Sequence, residues 1–187
     1  MRCLVVVAHP DDETIWMGGY ILQNPEWSWH IISLCRASDP DRAPKFRKVC
    51  DLLNAKCTIS DLEDEKLYPI DIEEVISRIK SMITYKKFDL IFTHGSNGEY
   101  GHIRHIEVHN AIKEMIKRKL IQCNKLHFFS YERKGQFCYA KPSATKFINL
   151  ENEIFMKKKN LIRDVYGFPN GGFEVESSGK TEAFEEE

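Results

Sequence analysis

The most constraining feature of the chain is a short apolar run that ends abruptly in imidazole and carboxylate side chains. Residues 5–13 read Val-Val-Val-Ala-His-Pro-Asp-Asp-Glu. Three consecutive β-branched residues favour a strand that is buried on both faces. Pro10 fixes φ and lacks a backbone donor, so the chain must turn there instead of continuing the strand. The sequence therefore predicts a buried strand whose carboxyl end carries His9, Asp11, Asp12 and Glu13.

A second cluster of chemically active residues follows a later strand. The strand pattern at 88–93 leads into a loop at 94–101 that contains three glycines, and then into a helical pattern that begins near residue 102. Four of the seven histidines fall within sixteen positions of this region: His94, His102, His105 and His109. On a helix, residues three or four positions apart share a face. His102 and His105 therefore share one face, and so do His105 and His109; His94 and His109 are the weaker candidates.

The order of elements predicts the fold class. Strand patterns at 29–34, 57–59, 88–93 and 126–131 alternate with helical patterns at 13–23, 45–54, 72–85 and 102–120. A further strand at 147–150 and a last helix at 151–164 follow. This alternation is typical of a Rossmann-like α/β protein with a mostly parallel sheet and helices on both faces. We expect one domain over residues 1–187, with a mobile acidic tail from about residue 175.

Composition excludes several classes of partner. The net charge of −1 provides no basic field for nucleic acid. No segment approaches the roughly 18 consecutive apolar residues of a membrane span. The apolar N-terminal run is too short for a signal peptide, and the six cysteines include no Cys-x-x-Cys pair, so we expect reduced thiols and a cytoplasmic protein. The sequence leaves open whether the chain forms a homo-oligomer.

The two clusters are expected to meet. In an open α/β sheet, ligands bind beyond the carboxyl ends of the strands, where the strand order reverses. The loops after the first strand and after the 88–93 strand are natural partners at such a point. His9, Asp12 and one histidine of the 102–105 pair would supply three protein ligands and leave one position open, which is the arrangement of a catalytic zinc site.

The two motifs resemble those of a known family. Residues 8–13 (Ala-His-Pro-Asp-Asp-Glu) and 98–105 (Gly-Glu-Tyr-Gly-His-Ile-Arg-His) are similar to the motifs of the PIG-L/LmbE-like family of zinc-dependent N-acetylglucosaminyl deacetylases. The order of elements fits this family from residue 1 to about residue 130. The resemblance implies one Zn²⁺ per chain, with another divalent metal left open, held by His9, Asp12 and His105. It also implies that Asp11 is the general base and that His102 polarises or protonates the reaction centre.

One departure from the family pattern affects His102. The family often has Pro-Asp between the two histidines, where this chain has Ile103 and Arg104. An aspartate that would steady His102 is therefore missing, and the sequence leaves the protonation state of His102 undecided. Candidate substrate-binding residues lie in the loop after the second strand and beside the histidine helix: Arg36, Arg42, Glu99 and Tyr100.

These observations lead to two functional hypotheses. The first is a zinc-dependent hydrolase that removes an N-acetyl or other N-acyl group from an amino sugar or N-acetylglucosaminyl conjugate, using metal-activated water. The second is a non-catalytic, metal-dependent protein that binds a sugar or nucleotide sugar. Asp11 favours the enzyme, because metal binding alone gives this carboxylate no role. The sequence does not identify the sugar or the length of the acyl group.

Overall fold

The order of elements follows the alternation expected from the sequence. The computed structural model describes residues 1–187. The first part contains β1 (Arg2–Val7), α1 (Asp12–Gln23), β2 (Ser28–Ser33), α2 (Arg42–Leu52), β3 (Lys56–Ile59), α3 (Ile72–Met82), β4 (Lys87–Thr93), a single turn α4 (Gly98–Gly101), α5 (Ile103–Lys117) and β5 (Gln122–Phe129). The second part contains β6 (Tyr131–Lys134), β7 (Phe137–Ala140), β8 (Lys146–Asn149), α6 (Asn152–Asn160), a π-helical turn (Leu161–Val165), α7 (Phe173–Ser177) and β9 (Thr181–Glu186).

A seven-stranded sheet in the order β3-β2-β1-β4-β5-β9-β8 forms the centre of the molecule. The first five of these strands are mutually parallel, whereas β9 is antiparallel to both of its neighbours. Alternate residues of β1 pack into two separate hydrophobic cores, one on each face of the sheet. Both faces are covered by helices, as the β-branched run predicted. The Rossmann-like, mostly parallel α/β class is therefore confirmed.

The C-terminal region departs from the sequence prediction. Residues from about 175 were expected to form a mobile acidic tail, but β9 is inserted between β5 and β8. Ala183 and Phe184 are fully buried there, and the buried carboxylate of Glu182 pairs with the ammonium group of Lys158. The expectation is wrong because the acidic composition conceals a strand: its one buried charge, Glu182, is paired, while Glu185 and Glu186 are exposed. The hairpin formed by β6 and β7 was also not predicted.

The sheet order explains where the functional loops meet. The chain leaves β1 toward β2 on one side, while β4 pairs with β1 on the other side. The strand order therefore reverses between β1 and β4, and the loops that follow these two strands lie at the same edge. Among the helices, none combines the length and apolar character needed to cross a membrane.

Candidate active site

The turn after β1 holds two predicted site residues next to each other. Pro10 ends the strand, and Asp11 has a φ of 118°, which is costly for a residue with a Cβ atom. This tight turn makes Asp12 the first residue of α1. Asp12 Oδ2 accepts a hydrogen bond from the backbone amide of His9 (2.9 Å), and its Oδ1 accepts one from the indole of Trp16 (3.0 Å). The Asp12 carboxylate is thereby fixed within reach of the His9 ring.

Three side-chain atoms form a triangle with the dimensions of a metal site. His9 Nδ1 lies 3.1 Å from His105 Nε2, and Asp12 Oδ2 lies 3.3 Å from each of these nitrogens. Ligand atoms about 2.0–2.1 Å from a tetrahedral zinc ion are separated from one another by roughly 3.3 Å. The triangle therefore fits one zinc-sized ion with three protein ligands. These are the three residues that the sequence motifs suggested as metal ligands.

Both histidines of the triangle are oriented by carboxylates. His105 Nδ1 lies 2.5 Å from Glu99 Oε2, and His9 Nε2 lies 3.0 Å from Asp64 Oδ1. Such contacts fix the tautomer and the ring orientation of histidines that bind metals, and they make the imidazole a stronger ligand. Glu99 is almost fully buried, so the expectation that it contacts substrate is wrong. Its carboxylate supports the metal triangle instead.

Electrostatics at the triangle favour a positive charge. Burial opposes ionisation of Asp12, yet His105 and His94 hold its pKa well below the usual range. Burial also opposes ionisation of Glu99, but the same two histidines lower its pKa to about 2. Conversely, Asp12 and Glu99 overcome the burial of His105 and raise its pKa to about 10. Two buried carboxylates therefore stabilise a cation at this point, and a divalent ion would replace the proton of His105.

Other residues near the triangle are less suitable as ligands. His94 stacks on His105 with ring centroids 3.8 Å apart. The lone pair of His94 Nε2 is not free for a metal, because it accepts a hydrogen bond from the Ala8 amide at 2.9 Å.

A second group of possible ligands contains Cys35, because ligand atoms of Cys35, His9 and Asp64 lie within 4.8 Å of one another. Burial raises the pKa of the Cys35 thiol, however, and the thiolate that binds metal is disfavoured there. His109 Nδ1 donates a hydrogen bond to the carbonyl oxygen of His94 (2.9 Å), so His109 supports the loop after β4.

Asp11 faces the cleft without belonging to the triangle. Its carboxylate forms an ion pair with Arg42, which also donates a hydrogen bond to the Pro10 carbonyl (3.3 Å). The Arg42 guanidinium lies over the ring of Phe168, 4.5 Å from its centroid. Burial and the neighbouring Asp12 raise the pKa of Asp11 well above its usual range. Arg42 therefore holds Asp11 in place, rather than pointing freely at a substrate as its position in the sequence suggested.

His102 begins α5, and its geometry indicates a neutral ring. Its Nδ1 accepts a hydrogen bond from the backbone amide of Arg104 at 3.3 Å, which leaves the proton of the neutral ring on Nε2. Burial and the nearby His105 lower the pKa of His102 to about 4. The His102 ring packs edge-on against His9, with centroids 4.6 Å apart. His102 can thus donate a hydrogen bond from Nε2 into the site without carrying a charge.

Arg104 lies where the family pattern often has an aspartate, and it holds a neighbouring loop instead of contacting His102 through its side chain. Its side chain is fully buried and forms ion pairs with Glu63 and Glu107, both at 2.6 Å. It also donates to the Glu63 carbonyl (2.5 Å), while Glu107 accepts from the Ile70 amide (2.8 Å). Arg104 therefore ties both ends of the loop between β3 and α3 to α5. That loop carries Asp64, the partner of His9.

A cleft of about 260 Å³ opens beside the triangle. Of the predicted substrate-binding residues, Arg36, Arg42 and Tyr100 line it. Arg36 forms an ion pair with Asp64 (2.7 Å), so the arginine and the carboxylate lie at the same wall. Among the lining residues that were not predicted from the sequence are Asp64, Phe173 and Glu174. The acidic run that follows β3 was a usable signal for Asp64, whereas nothing in the sequence pointed to the other two.

Comparisons with known proteins agree with the two motifs. The family model described as "PIG-L: GlcNAc-PI de-N-acetylase" matches residues 4–116. An uncharacterized protein of Acanthamoeba polyphaga mimivirus is 27% identical over 117 residues, which cover 54% of this chain and 52% of that protein. The chain thus matches about half the length of this curated relative.

Solved structures share the fold at low identity. An N,N'-diacetylchitobiose deacetylase from Pyrococcus horikoshii superposes with a TM-score of 0.73 and 16% identity, covering 99% of this chain and 83% of that one. GalB, the 4-carboxy-2-hydroxymuconate hydratase of Pseudomonas putida, superposes with a TM-score of 0.66 and 16% identity, covering 95% and 83%. At this identity the likeness concerns the fold alone, and the fold serves two different reactions.

Proposed function

As this chain belongs to the PIG-L family of GlcNAc-PI de-N-acetylases, we propose that it is a metal-dependent hydrolase. The reaction that we propose is removal of an N-acetyl or related N-acyl group from an amino sugar or N-acetylglucosaminyl conjugate. One observation carries the proposal: two members of the triangle formed with His105, namely His9 and Asp12, line the same cleft as the carboxylate of Asp11.

We infer that His9, Asp12 and His105 hold a divalent cation, and zinc is the ion that best matches two imidazoles and one carboxylate. When bound, such an ion acts as a Lewis acid that polarises a carbonyl and makes a nearby water more acidic. The carboxylates of Glu99 and Asp64 keep the two histidines oriented toward the ion.

Asp11 acts as the general base in this proposal. Its carboxylate lines the cleft and makes no contact that metal binding requires. It accepts the proton of the attacking water and, once protonated, can return that proton to the nitrogen of the departing amine. Arg42 and the tight turn at Pro10 hold the carboxylate at one place during both transfers. General acid–base steps of this kind contribute about 10²–10⁴ to the rate.

His102 stabilises the carbonyl oxygen of the amide. His102 Nδ1 accepts a hydrogen bond from the Arg104 amide, so the ring proton lies on Nε2. From there it can be donated in a hydrogen bond to a developing oxyanion. Protonation of the amine then falls to Asp11, since the ring of His102 is neutral around pH 7. Arg36 and Tyr100, which line the same cleft, are proposed to contact the sugar.

The experiment that tests this function combines metal content with turnover. Purified protein is analysed by plasma mass spectrometry, and primary amine release is followed with N-acetylglucosaminyl substrates. We expect about one zinc per wild-type chain and amine release, and the loss of both in Asp12→Ala. Asp51→Ala, in an exposed carboxylate of α2, is the matched control and keeps both. Metal binding without release of amine from any N-acylated sugar would favour the non-catalytic binding protein instead.

A further inference from the structure

One wall of the cleft comes from a part of the chain that the family match does not include. Phe173 and Glu174 begin α7, whereas the matched segment ends at residue 116. The helix is held firmly against the rest of the protein: Val175 is buried in the core, and Ser177 Oγ accepts a hydrogen bond from the Cys138 amide at 3.0 Å. The wall is thus a fixed surface of this chain.

An aromatic surface connects this wall to the metal triangle. The ring of Phe173 packs edge-to-face on Tyr100, with centroids 5.0 Å apart. The Tyr100 ring packs in the same way on His105 at 5.2 Å. Only the ring of Tyr100 therefore separates a group that contacts Phe173 from His105 of the metal triangle. Aromatic rings combine a large apolar area with low conformational cost, which suits packing against the C–H face of a sugar.

The unpaired charge in the cleft is negative. Both arginines of the lining already have carboxylate partners: Arg36 pairs with Asp64, and Arg42 pairs with Asp11. Glu174 has no hydrogen bond or ion pair to its carboxylate among the side-chain contacts of the protein and is only half-buried. Away from the metal triangle, a phosphate group in the cleft would therefore meet the free carboxylate of Glu174 and no unpaired cationic side chain. Like charges placed close together disfavour binding, whereas a carboxylate accepts hydrogen bonds from sugar hydroxyls.

We propose that Phe173 and Glu174 form a sugar subsite that accepts an uncharged second sugar next to the N-acylated one and disfavours phosphate-bearing conjugates. This inference rests on the proposed function, and it narrows the substrate class. Phe173 packs against the face of the second sugar, and Glu174 accepts its hydroxyl hydrogens. A phosphoinositol or nucleotide conjugate places a negative charge beside Glu174 instead.

Binding to the zinc-loaded His102→Ala protein tests the subsite with little turnover, because this change removes the oxyanion donor and keeps the Asp11–Arg42 ion pair. Calorimetry compares N-acetylglucosamine with N,N'-diacetylchitobiose and with N-acetylglucosamine 1-phosphate. We expect the disaccharide to bind at least about fivefold more tightly than the monosaccharide, and the phosphate ester to bind more weakly than the monosaccharide. Adding Glu174→Gln should strengthen binding of the phosphate ester by about three- to tenfold and leave the monosaccharide unchanged. Adding Phe173→Leu should remove the advantage of the disaccharide.

Glu176→Gln provides the matched control. Glu176 lies on the same helix, but its carboxylate is exposed, contacts the Gly171 amide and does not line the cleft. This change should leave all three affinities unaltered. Tighter binding of the phosphate ester than of the monosaccharide, an equal effect of Glu174→Gln on all ligands, or binding of no sugar would overturn the subsite. Failure of the wild type to release amine from a sugar that binds would instead count against the proposed function.

Discussion

Asp11 and Asp12 are neighbours in the chain, but their carboxylates meet opposite surroundings. Asp12 lies between two histidines and its pKa is strongly lowered, whereas burial and the charge of Asp12 raise the pKa of Asp11. Pairs of carboxylates whose environments drive their pKa values apart are a common sign of divided chemical roles. Here the anionic Asp12 suits metal ligation, and the more basic Asp11 suits proton transfer.

The divided roles predict different effects of two conservative changes. Asp11→Asn should keep about one zinc per chain and lower kcat by at least about 10²-fold, because the amide cannot accept a proton from water. Asp12→Asn should lower zinc content. Plasma mass spectrometry and amine release on the same samples separate these effects. Normal turnover by Asp11→Asn would remove Asp11 from the role of general base.

Residues of the site differ in how well the sequence predicts them. His9, Asp12 and His105 come together as the motifs suggested, since each lies at a strand end or helix start on one sheet edge. Glu99 was assigned to substrate because it lies beside the histidine helix in the chain. The backbone of Glu99, with a φ of 57°, turns its carboxylate inward instead. Sequence adjacency does not determine side-chain direction in a tight turn.

At the scale of elements, the loop between β3 and α3 is part of the site because α5 holds it. Arg104 has no access to water and satisfies its charge with Glu63 and Glu107. Removal of one member of a buried ion pair leaves the other charges uncompensated. The position of Asp64 against His9 therefore depends on a side chain from another helix.

Arg104→Leu should release this loop and weaken the metal site. We expect zinc affinity to fall by about tenfold or more, as is typical when a carboxylate partner of a ligating histidine is displaced. A chromophoric chelator in competition measures the affinity. Arg78→Leu, in a helical i,i+4 pair with Glu74, is the control and should leave zinc affinity unchanged. Equal zinc affinity in Arg104→Leu and wild type would show that the loop holds its place without Arg104.

Strand β5 carries a buried histidine that makes stability depend on pH. Burial and the nearby Lys146 lower the pKa of His127 to about 4, although Glu186 opposes this shift and Lys125 adds to it. The unfolded chain, with a histidine pKa near 6.5, binds this proton more readily than the folded protein does. Protonation of His127 therefore favours the unfolded chain, and the free energy of unfolding decreases as the pH falls from about 6.5 to 4.

His127→Gln should flatten this part of the stability profile. Urea unfolding at several pH values between 7.5 and 4.5 measures the free energy of unfolding in both proteins. Relative to the wild type, the variant should gain stability as the pH falls below about 6.5, and the difference should be constant above pH 7.5. A constant difference across the whole range would mean that His127 is protonated equally in both states.

At the scale of the whole molecule, the last strand is joined to the first helix. Glu182 of β9 accepts hydrogen bonds from the amides of Gly19 (2.8 Å) and Tyr20 (2.7 Å) in α1, and it pairs with Lys158 of α6 (2.7 Å). The helix so anchored begins with Asp12, the proposed metal ligand. The C-terminal segment therefore supports the position of the site although it contributes no metal ligand.

The buried pair predicts an ordered set of stability changes. Glu182→Leu should cost about 3–5 kcal/mol, because it leaves the Lys158 charge and two backbone amides without their acceptor. Lys158→Met should cost less, since the Glu182 carboxylate keeps both amides. The double variant should be more stable than Glu182→Leu alone. Urea unfolding of the four proteins gives the coupling energy, and strict additivity would show that the pair does not act as a unit.

The sequence by itself determined the alternation of elements, the buried β1 and the two motifs that supply His9, Asp11, Asp12, His102 and His105. These features are local, since periodicity and turn chemistry act over a few neighbouring residues. Only the tertiary structure decided which carboxylate orients each of the two histidines of the triangle, His9 and His105. Asp64 is 55 positions from His9, and His105 is 96 positions from it. Contacts at such separations depend on how β9, α5 and α7 pack onto the sheet, because side-chain direction and burial arise only when distant segments meet.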